Sequence, residues 1–210
     1  MVSANILQRV YKVKYQNNFW AWFTIHRNWK EYLISAKHIF KDFESENWFI
    51  EILNSDKWYP ITVKKIDCIE SVDIIIFEWE SPLLSNLEIE IGEEFFVSQD
   101  AYFLGFPFWL ETDWLASNNW YPIPFVKKCT ISGFDLKNPK TIYLDWHNNK
   151  WFSGGPLITI EKQKMNIIWV ISWYLCDQDE DKIQKWMKEN SGIFFAHKII
   201  HAIDAIDRAD

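Results

Sequence analysis

Residues 150–158 read KWFSGGPLI, and the interpretation of the whole chain starts from this stretch. Only 6 glycines occur among 210 residues, yet Gly154 and Gly155 stand side by side, directly after Ser153. Glycine is needed where the backbone takes a positive φ or where another group approaches closely. The stretch therefore predicts a tight turn that exposes Ser153 to a bound molecule, with a plain structural loop as the alternative.

A serine hydroxyl is a weak nucleophile at neutral pH, so it requires an imidazole within reach and a third group that orients the imidazole. Of the 5 histidines, only His38 ends an apolar stretch with small residues before it, in YLISAKHIF. Asp73, in SVDIIIFEW, directly precedes an apolar run, where a buried carboxylate needs a partner. Each residue taken singly is more often structural, but their order and contexts make His38, Asp73 and Ser153 a candidate triad.

Period-two alternation dominates the chain before residue 175 and predicts many short strands. The predicted strands are residues 10–15, 19–25, 32–35, 48–53, 57–66, 74–79, 101–104, 124–131, 141–145, 156–160 and 167–174. This pattern indicates an all-β sandwich or barrels and excludes a helix bundle. Near the C-terminus, Ile199, Ile203 and Ile206 recur at helical spacing and predict one amphipathic helix.

The strand pattern loosens over residues 81–99, which predicts a connection between two β units with a boundary near residue 90. Residues 1–90 then carry His38 and Asp73, and residues 91–210 carry Ser153. The acid-rich residues 177–189 predict a surface insertion, with a lid over the site as the alternative.

A net charge of −7 and the lack of a basic stripe argue against a nucleic-acid or anionic-membrane surface. The N-terminus shows no signal-peptide pattern and no apolar run is long enough to span a membrane, so we expect a cytoplasmic protein. Cys68, Cys129 and Cys176 are far apart in sequence and predict buried free thiols. We expect no metal and no cofactor.

These motifs together resemble the chymotrypsin-like serine peptidases, in the compact bacterial trypsin-like form. YLISAKHIF resembles the family's Thr/Ser-Ala-x-His segment, VDIIIFEW its aspartate segment, and FSGGPLI its nucleophile motif Asn/Asp-Ser-Gly-Gly-Pro. Three further stretches are similar in the right order: IGEEFFVSQDAYFLGFPF to the opening of the second barrel, IIWVISWYL to the strand along the cleft, and SGIFFAHKIIHAID to the closing strand and helix. The resemblance extends over nearly the whole chain.

The resemblance implies two antiparallel six-stranded β-barrels with the triad in the cleft between them. His38 would take the proton from Ser153 while Asp73 orients the ring, and the backbone N–H groups of Ser153 and Trp151 would form the oxyanion hole. By position in the family motifs, the substrate pocket would be formed by His147 at its floor, Ser172, Trp173 and Tyr174 along one wall, and Gly192 on the other.

Two departures from the family pattern lie beside the nucleophile. Trp151 stands where the family has glycine, so the oxyanion loop follows a different path or forms only when substrate binds. Phe152 replaces the aspartate that pairs with a newly cut N-terminus in zymogens, so no such cleavage is expected. Core packing and peptide contact are equally good interpretations of Trp146, Trp151 and Trp173.

The leading interpretation is a serine endopeptidase acting through an acyl-enzyme on a protein or peptide substrate, in its narrowest form one dedicated partner. The alternative is a protease-fold module that binds peptide without turnover. The intact triad favours the enzyme, while Trp151 and Phe152 favour the binding module. An esterase ranks lower because the strand-turn-helix context of an esterase serine is missing.

Overall fold

The computed structural model describes residues 2–15, 18–40, 47–79, 89–92, 94–110, 118–138, 140–146, 152–161, 164–176 and 190–210. A short helix α1 (Ala4–Leu7) precedes the strands and a longer helix α2 (Ile200–Ala209) follows them. No helix in these ranges is both long and apolar enough to cross a membrane. The predicted insertion at residues 177–189 lies outside the described residues.

The described residues form thirteen strands, most of them at the positions that the alternation predicts. They are β1 (Val10–Tyr15), β2 (Asn18–Arg27), β3 (Lys30–Ser35), β4 (Asn47–Asn54), β5 (Lys57–Ile66), β6 (Ile75–Trp79), β7 (Glu90–Ile91), β8 (Asp100–Gly105), β9 (Phe125–Phe134), β10 (Thr141–Asp145), β11 (Pro156–Glu161), β12 (Lys164–Cys176) and β13 (Asn190–Lys198). The predicted C-terminal helix is present as α2, which buries Ile203 and Ile206.

Strands β1 to β6 close into an antiparallel barrel in the order β1–β2–β3–β6–β5–β4. The barrel closes where β1 pairs with β4, with Val13 opposite Ile52. The β2–β3 hairpin turns at Asn28 and Trp29, whose φ values of +50° and +65° match the twist of the strands on either side. Closure pairs the two outermost strands of this sheet with each other, which is one way in which β proteins protect strand edges.

Strands β8 to β13 form a second antiparallel barrel in the order β11–β8–β9–β10–β13–β12, closed by pairing of β11 with β12. The two-residue strand β7 adds a parallel pairing on the outer side of β12. The predicted all-β fold with two six-stranded barrels and a C-terminal helix is therefore confirmed. Residues 80–88 lie outside the described residues, and the domain division at residue 90 stays a prediction.

Each barrel is filled by apolar side chains from the inner faces of its strands. Trp22, Leu33 and Phe77 are among the buried residues inside the first barrel, while Phe103 and Phe194 lie inside the second. A separate apolar cluster joins the barrels to each other and to α2, and it includes Ile34, Leu104, Ile158, Val170 and Ile203. This shared core fixes the two barrels against each other and so fixes the cleft between them.

Candidate active site

Strand pairing in the first barrel brings His38 and Asp73 together. β3 and β6 are antiparallel, with Ser35 opposite Ile75. His38 follows the end of β3 by three residues, in the 3₁₀ turn Lys37–Phe40, and Asp73 precedes β6 by two. Both residues therefore extend beyond the same end of the strand pair, although 35 residues separate them in sequence.

The imidazole of His38 and the carboxylate of Asp73 form a tightly connected pair. His38 Nδ1 lies 2.6 Å from Asp73 Oδ2, and the backbone N–H of His38 donates to Asp73 Oδ1 at 2.6 Å. A carboxylate against Nδ1 holds the proton on that nitrogen and leaves Nε2 with its lone pair. Nε2 is buried and has no hydrogen-bond partner among the described residues, so the base position is free.

Asp73 is held in its charged form. Burial acts to raise the pKa of its carboxyl, but the hydrogen bonds and charge of His38 and the hydroxyl of Ser172 outweigh that effect, and the pKa lies below its ordinary value. Asp73 thus stays a carboxylate at neutral pH and stabilises an imidazolium when the ring takes up a proton.

Ser172 connects the acid to the nucleophile and so links the two barrels. It lies in β12, its hydroxyl donates to Asp73 Oδ2, and its backbone carbonyl accepts a 2.6 Å hydrogen bond from Ser153 Oγ. The sequence interpretation placed Ser172 only in the wall of the substrate pocket. Here it also anchors the carboxylate and positions the hydroxyl of Ser153.

Ser153 lies in the turn before β11, where it is 9% exposed. Its hydroxyl is directed to the carbonyl of Ser172. Both residues belong to the second barrel, whereas His38 and Asp73 belong to the first. The candidate residues therefore form a hydrogen-bonded His38–Asp73 pair, to which Ser153 is connected through Ser172.

The paired glycines after Ser153 are required by the path of the turn. Gly154 has a φ of +85°, and a Cβ there would collide with Ser35 Oγ and the carbonyl oxygen of Ala21. A Cβ on Gly155 would collide with the carbonyl oxygen of Leu104. The turn that carries Ser153 thus packs directly against the backbones of both barrels, which answers why the chain places two glycines here.

We predict that Gly155→Ala destabilises the fold by about 1–3 kcal/mol, because its new methyl must displace a backbone carbonyl in a packed region. Urea unfolding monitored by circular dichroism measures the change. Gly133→Ala is the matched control, since no atom lies within 4 Å of a Cβ at that position. Equal stability of the two variants would contradict the close packing described for this turn.

Phe152 anchors the residue before the nucleophile in the core of the second barrel. It is fully buried, meets Phe103 edge to face at 4.9 Å, and packs where a Cβ on Gly105 would lie 2.7 Å from its ring. The ammonium of Lys127 lies 5.3 Å from the ring centroid, a cation–π distance. Apolar packing therefore holds the segment that leads into Ser153.

The predicted substrate pocket is described only in part. Trp173 is 47% exposed, and its ring stands perpendicular to that of His38 at 4.8 Å. Gly192 has a φ of +80°, and its carbonyl accepts from the backbone N–H of Trp146 at 3.0 Å. For Tyr174 the backbone is described, paired with Phe194. His147 at the predicted floor and Trp151 at the predicted oxyanion hole lie outside the described residues.

Two residues near His38 were missed by the sequence interpretation. The ring of Trp20, in β2, stands perpendicular to the imidazole at 6.3 Å. His197, in β13, is 6% exposed. Together with His38 and Asp73 it lines a cavity of about 520 Å³. Burial lowers the pKa of His197, against the opposing charge of Asp73. Neither residue was singled out from the sequence, because strand register brings both of them to the site.

Side chains that can bind metal ions are scattered over the described part of the chain. No group of three or more His, Cys, Asp or Glu side chains in these ranges is arranged to hold a metal ion. Cys68 and Cys129 are free thiols, and burial raises the pKa of each.

Comparison with solved structures identifies the fold. A serine endoprotease from Yersinia pestis superposes with a TM-score of 0.65 at 15% identity, over 97% of this chain and 63% of that chain. An HtrA-type protease crystallised with a tripeptide gives a TM-score of 0.64 at 15% identity, over 97% and 60%. The inactive form of Rv3671c from M. tuberculosis gives 0.59 at 16% identity, over 98% and 88%.

The chain thus has the two-barrel fold of the trypsin-like serine endoproteases, and the resemblance inferred from the motifs extends to the architecture. It spans about three-fifths of the length of the first two of these relatives. No protein-family model and no curated protein sequence matches the chain. At 15–16% identity the likeness concerns the fold alone, and the chemistry depends on the side chains of the site.

Proposed function

We propose that this protein is a serine endopeptidase of the trypsin-like class, with His38, Asp73 and Ser153 as its triad. The observation that carries the proposal is the hydrogen-bond chain from Ser153 through Ser172 to Asp73 and His38, which crosses from one barrel to the other. Three residues far apart in sequence thus belong to one hydrogen-bonded network, in which acyl transfer requires Ser153 to exchange its contact with Ser172 for one with His38 Nε2. The fold shared with serine endoproteases supports the same assignment.

In the acylation step, Ser153 Oγ turns from the Ser172 carbonyl towards His38 Nε2. Nε2 takes the hydroxyl proton as Oγ attacks the carbonyl carbon of the scissile peptide bond. The charge of Asp73 stabilises the imidazolium that forms.

The negative charge that develops on the substrate carbonyl oxygen is held by backbone N–H groups, for which we propose those of Ser153 and Trp151. The tetrahedral intermediate then collapses, the carbon–nitrogen bond breaks, and the imidazolium gives its proton to the leaving amine. Water next attacks the acyl-enzyme with His38 again as the base, which releases the new carboxylate and restores the Ser153 hydroxyl.

We further propose that Trp173 contacts the acyl half of the substrate, because it is half exposed beside His38 and directly follows Ser172. The remaining pocket assignments, His147, Tyr174 and Gly192, rest on the motif resemblance. The substrate is a protein or peptide, in the narrowest form one dedicated partner, and we propose a cytoplasmic location without nucleic-acid or membrane binding. The charge of −7 supports the last point.

A second candidate function is peptide binding without turnover. The observation that favours it is the direction of the Ser153 hydroxyl, which bonds the Ser172 carbonyl and leaves His38 Nε2 without a partner among the described residues. A binding module would keep this arrangement when peptide is bound. An endopeptidase would exchange the Ser172 contact for one with His38.

Digestion of a peptide library prepared from a proteome distinguishes the two functions. We expect the wild type to generate new peptide ends that mass spectrometry assigns to a defined set of cleavage sites. The Ser153→Ala variant, which keeps the cleft, is expected to yield none above background. Peptide retention by both proteins with no new ends in either would support the binding module.

A further inference from the structure

Trp20 lies at the first barrel's side of the candidate active site. Trp20 is two residues before Trp22 in β2, so both side chains point to the same face of the strand. Trp22 is fully buried inside the barrel. Trp20 is only partly buried, packs on the barrel core, and turns its ring perpendicular to that of His38 at 6.3 Å. It therefore forms part of the rim beside the catalytic imidazole.

The residue after Trp20 contacts the nucleophile turn. The carbonyl of Ala21 lies so close to Gly154 that a Cβ there could not be accommodated, and Ser35 Oγ donates to this same carbonyl at 3.2 Å. Trp20 thus lies beside His38, and Ala21 lies against the turn that follows Ser153. This short segment is the first barrel's border of the cleft.

Trp173 borders the imidazole from the other barrel. Trp173 directly follows Ser172, whose carbonyl accepts a hydrogen bond from the Ser153 hydroxyl. We therefore assign the side of the cleft that carries Trp173 to the acyl half of the substrate. The leaving half departs from the opposite side of the scissile bond, next to the nitrogen that receives its proton from His38. The indole of Trp20, from the first barrel, lies on the side of His38 that we assign to the leaving half of the substrate.

We infer that Trp20 is a specificity-determining residue for the leaving half of the substrate, selecting an aromatic side chain directly after the scissile bond. This inference rests on the proposed endopeptidase function. A rigid, partly exposed indole gives an aromatic side chain apolar contact and a favourable ring geometry, and it gives glycine neither. The residue is supplied by β2, outside all three catalytic motifs.

Acyl transfer to added amines measures this selectivity even though the residue preferred before the scissile bond is not known. p-Nitrophenyl acetate acetylates Ser153 and releases p-nitrophenol. An amino acid amide then attacks the acetyl carbonyl carbon, its proton passes to His38, and the bond to Ser153 Oγ breaks as Oγ regains a proton. The product is the N-acetyl amide, in competition with acetate formed by water.

We expect the wild type to favour phenylalaninamide over glycinamide by about tenfold or more, on the scale by which apolar pockets discriminate substrates. Trp20→Ala is expected to reduce this preference to within about twofold, and because both amides compete for the same acetyl-enzyme, the preference is measured independently of the overall rate of p-nitrophenol release. Trp20→Leu keeps apolar packing in the barrel and is expected to lose the same aromatic preference. Ser153→Ala gives the uncatalysed background.

Trp29→Ala is the matched control, because Trp29 is 94% exposed on the β2–β3 turn. The preference of this variant for phenylalaninamide over glycinamide is expected to equal that of the wild type. A wild type that treats both amides alike, or Trp20 variants that retain the preference, would overturn the inference and leave the enzyme proposal standing. Absence of any Ser153-dependent p-nitrophenol release would overturn both.

Discussion

Ser153→Ala is expected to lower kcat/KM for a cleaved peptide about 10⁶-fold, which is the scale of loss when a triad nucleophile is removed. The variant keeps the backbone of the turn and loses only the oxygen that forms the acyl-enzyme. His38→Ala is expected to lose a similar factor, because without a base the hydroxyl stays protonated. The double variant is expected to be no worse than either single one, since both residues serve one step.

Steady-state hydrolysis of a peptide identified from the library provides the measurement. Circular dichroism confirms that each variant is folded, and Trp29→Ala serves as an unaffected reference. A loss below about tenfold for Ser153→Ala in folded protein would show that the activity belongs to another residue. Additive losses in the double variant would show that His38 and Ser153 act independently.

Asp73→Asn is expected to lower kcat/KM about 10⁴-fold while leaving the packing of the site nearly unchanged. The present carboxylate keeps a proton on His38 Nδ1 through its 2.6 Å contact. An amide at that position donates a hydrogen there instead, which moves the ring proton to Nε2 and blocks the base. Asp67→Asn, which changes an exposed carboxylate in the same segment, is the matched control and is expected to retain full activity.

The same substitution also has an expected signature in stability. The folded pKa of Asp73 is lowered by its hydrogen bonds with His38 and Ser172, against the opposing effect of burial. Its contribution to stability is therefore present above the ordinary aspartate pKa of about 3.9 and is lost as the pH falls through the lower folded value. Urea unfolding is expected to show Asp73→Asn less stable than wild type at pH 7, with the difference shrinking below about pH 4. A gap that persists at low pH would contradict this account.

The strand positions could be predicted from alternation because one face of each strand is buried. β1, β5 and β10 have the predicted bounds, and the C-terminal ends of β2 and β9 extend further than predicted. The strand β7 was missed because two residues carry no periodic signal. β13 came only from the motif resemblance, since SGIFFAHK mixes buried and exposed residues irregularly.

The triad residues could be proposed from local motifs, but their connections could not. Ser172 bonds both Asp73 and Ser153 because β12 passes between them, and no spacing in the sequence shows this. Trp20 and His197 reach the site through strand register in two different barrels. Residues that reach the site through long-range packing have no sequence signature of their own. The glycines after Ser153 could be interpreted from the sequence because a tight turn requires particular local backbone angles.

The anchoring of Phe152 explains how the nucleophile turn is held without a buried ion pair. Its ring fills the second barrel against Phe103 and Gly105, and Lys127 lies over one face. A buried ion pair at such a place must repay a large desolvation cost, and apolar packing avoids that cost. The segment next to Ser153 is therefore fixed by the same core that fixes the barrel.

Reaction with a fluorophosphonate, followed by intact-protein mass spectrometry, tests the central claim most directly. An activated serine displaces fluoride from phosphorus, so we predict one adduct on the wild type, located at Ser153 by peptide mapping. His38→Ala is expected to react at least a thousandfold more slowly, and Ser153→Ala to gain no adduct. Folded wild type that stays unlabelled, or Ser153→Ala that is labelled equally, would contradict the account.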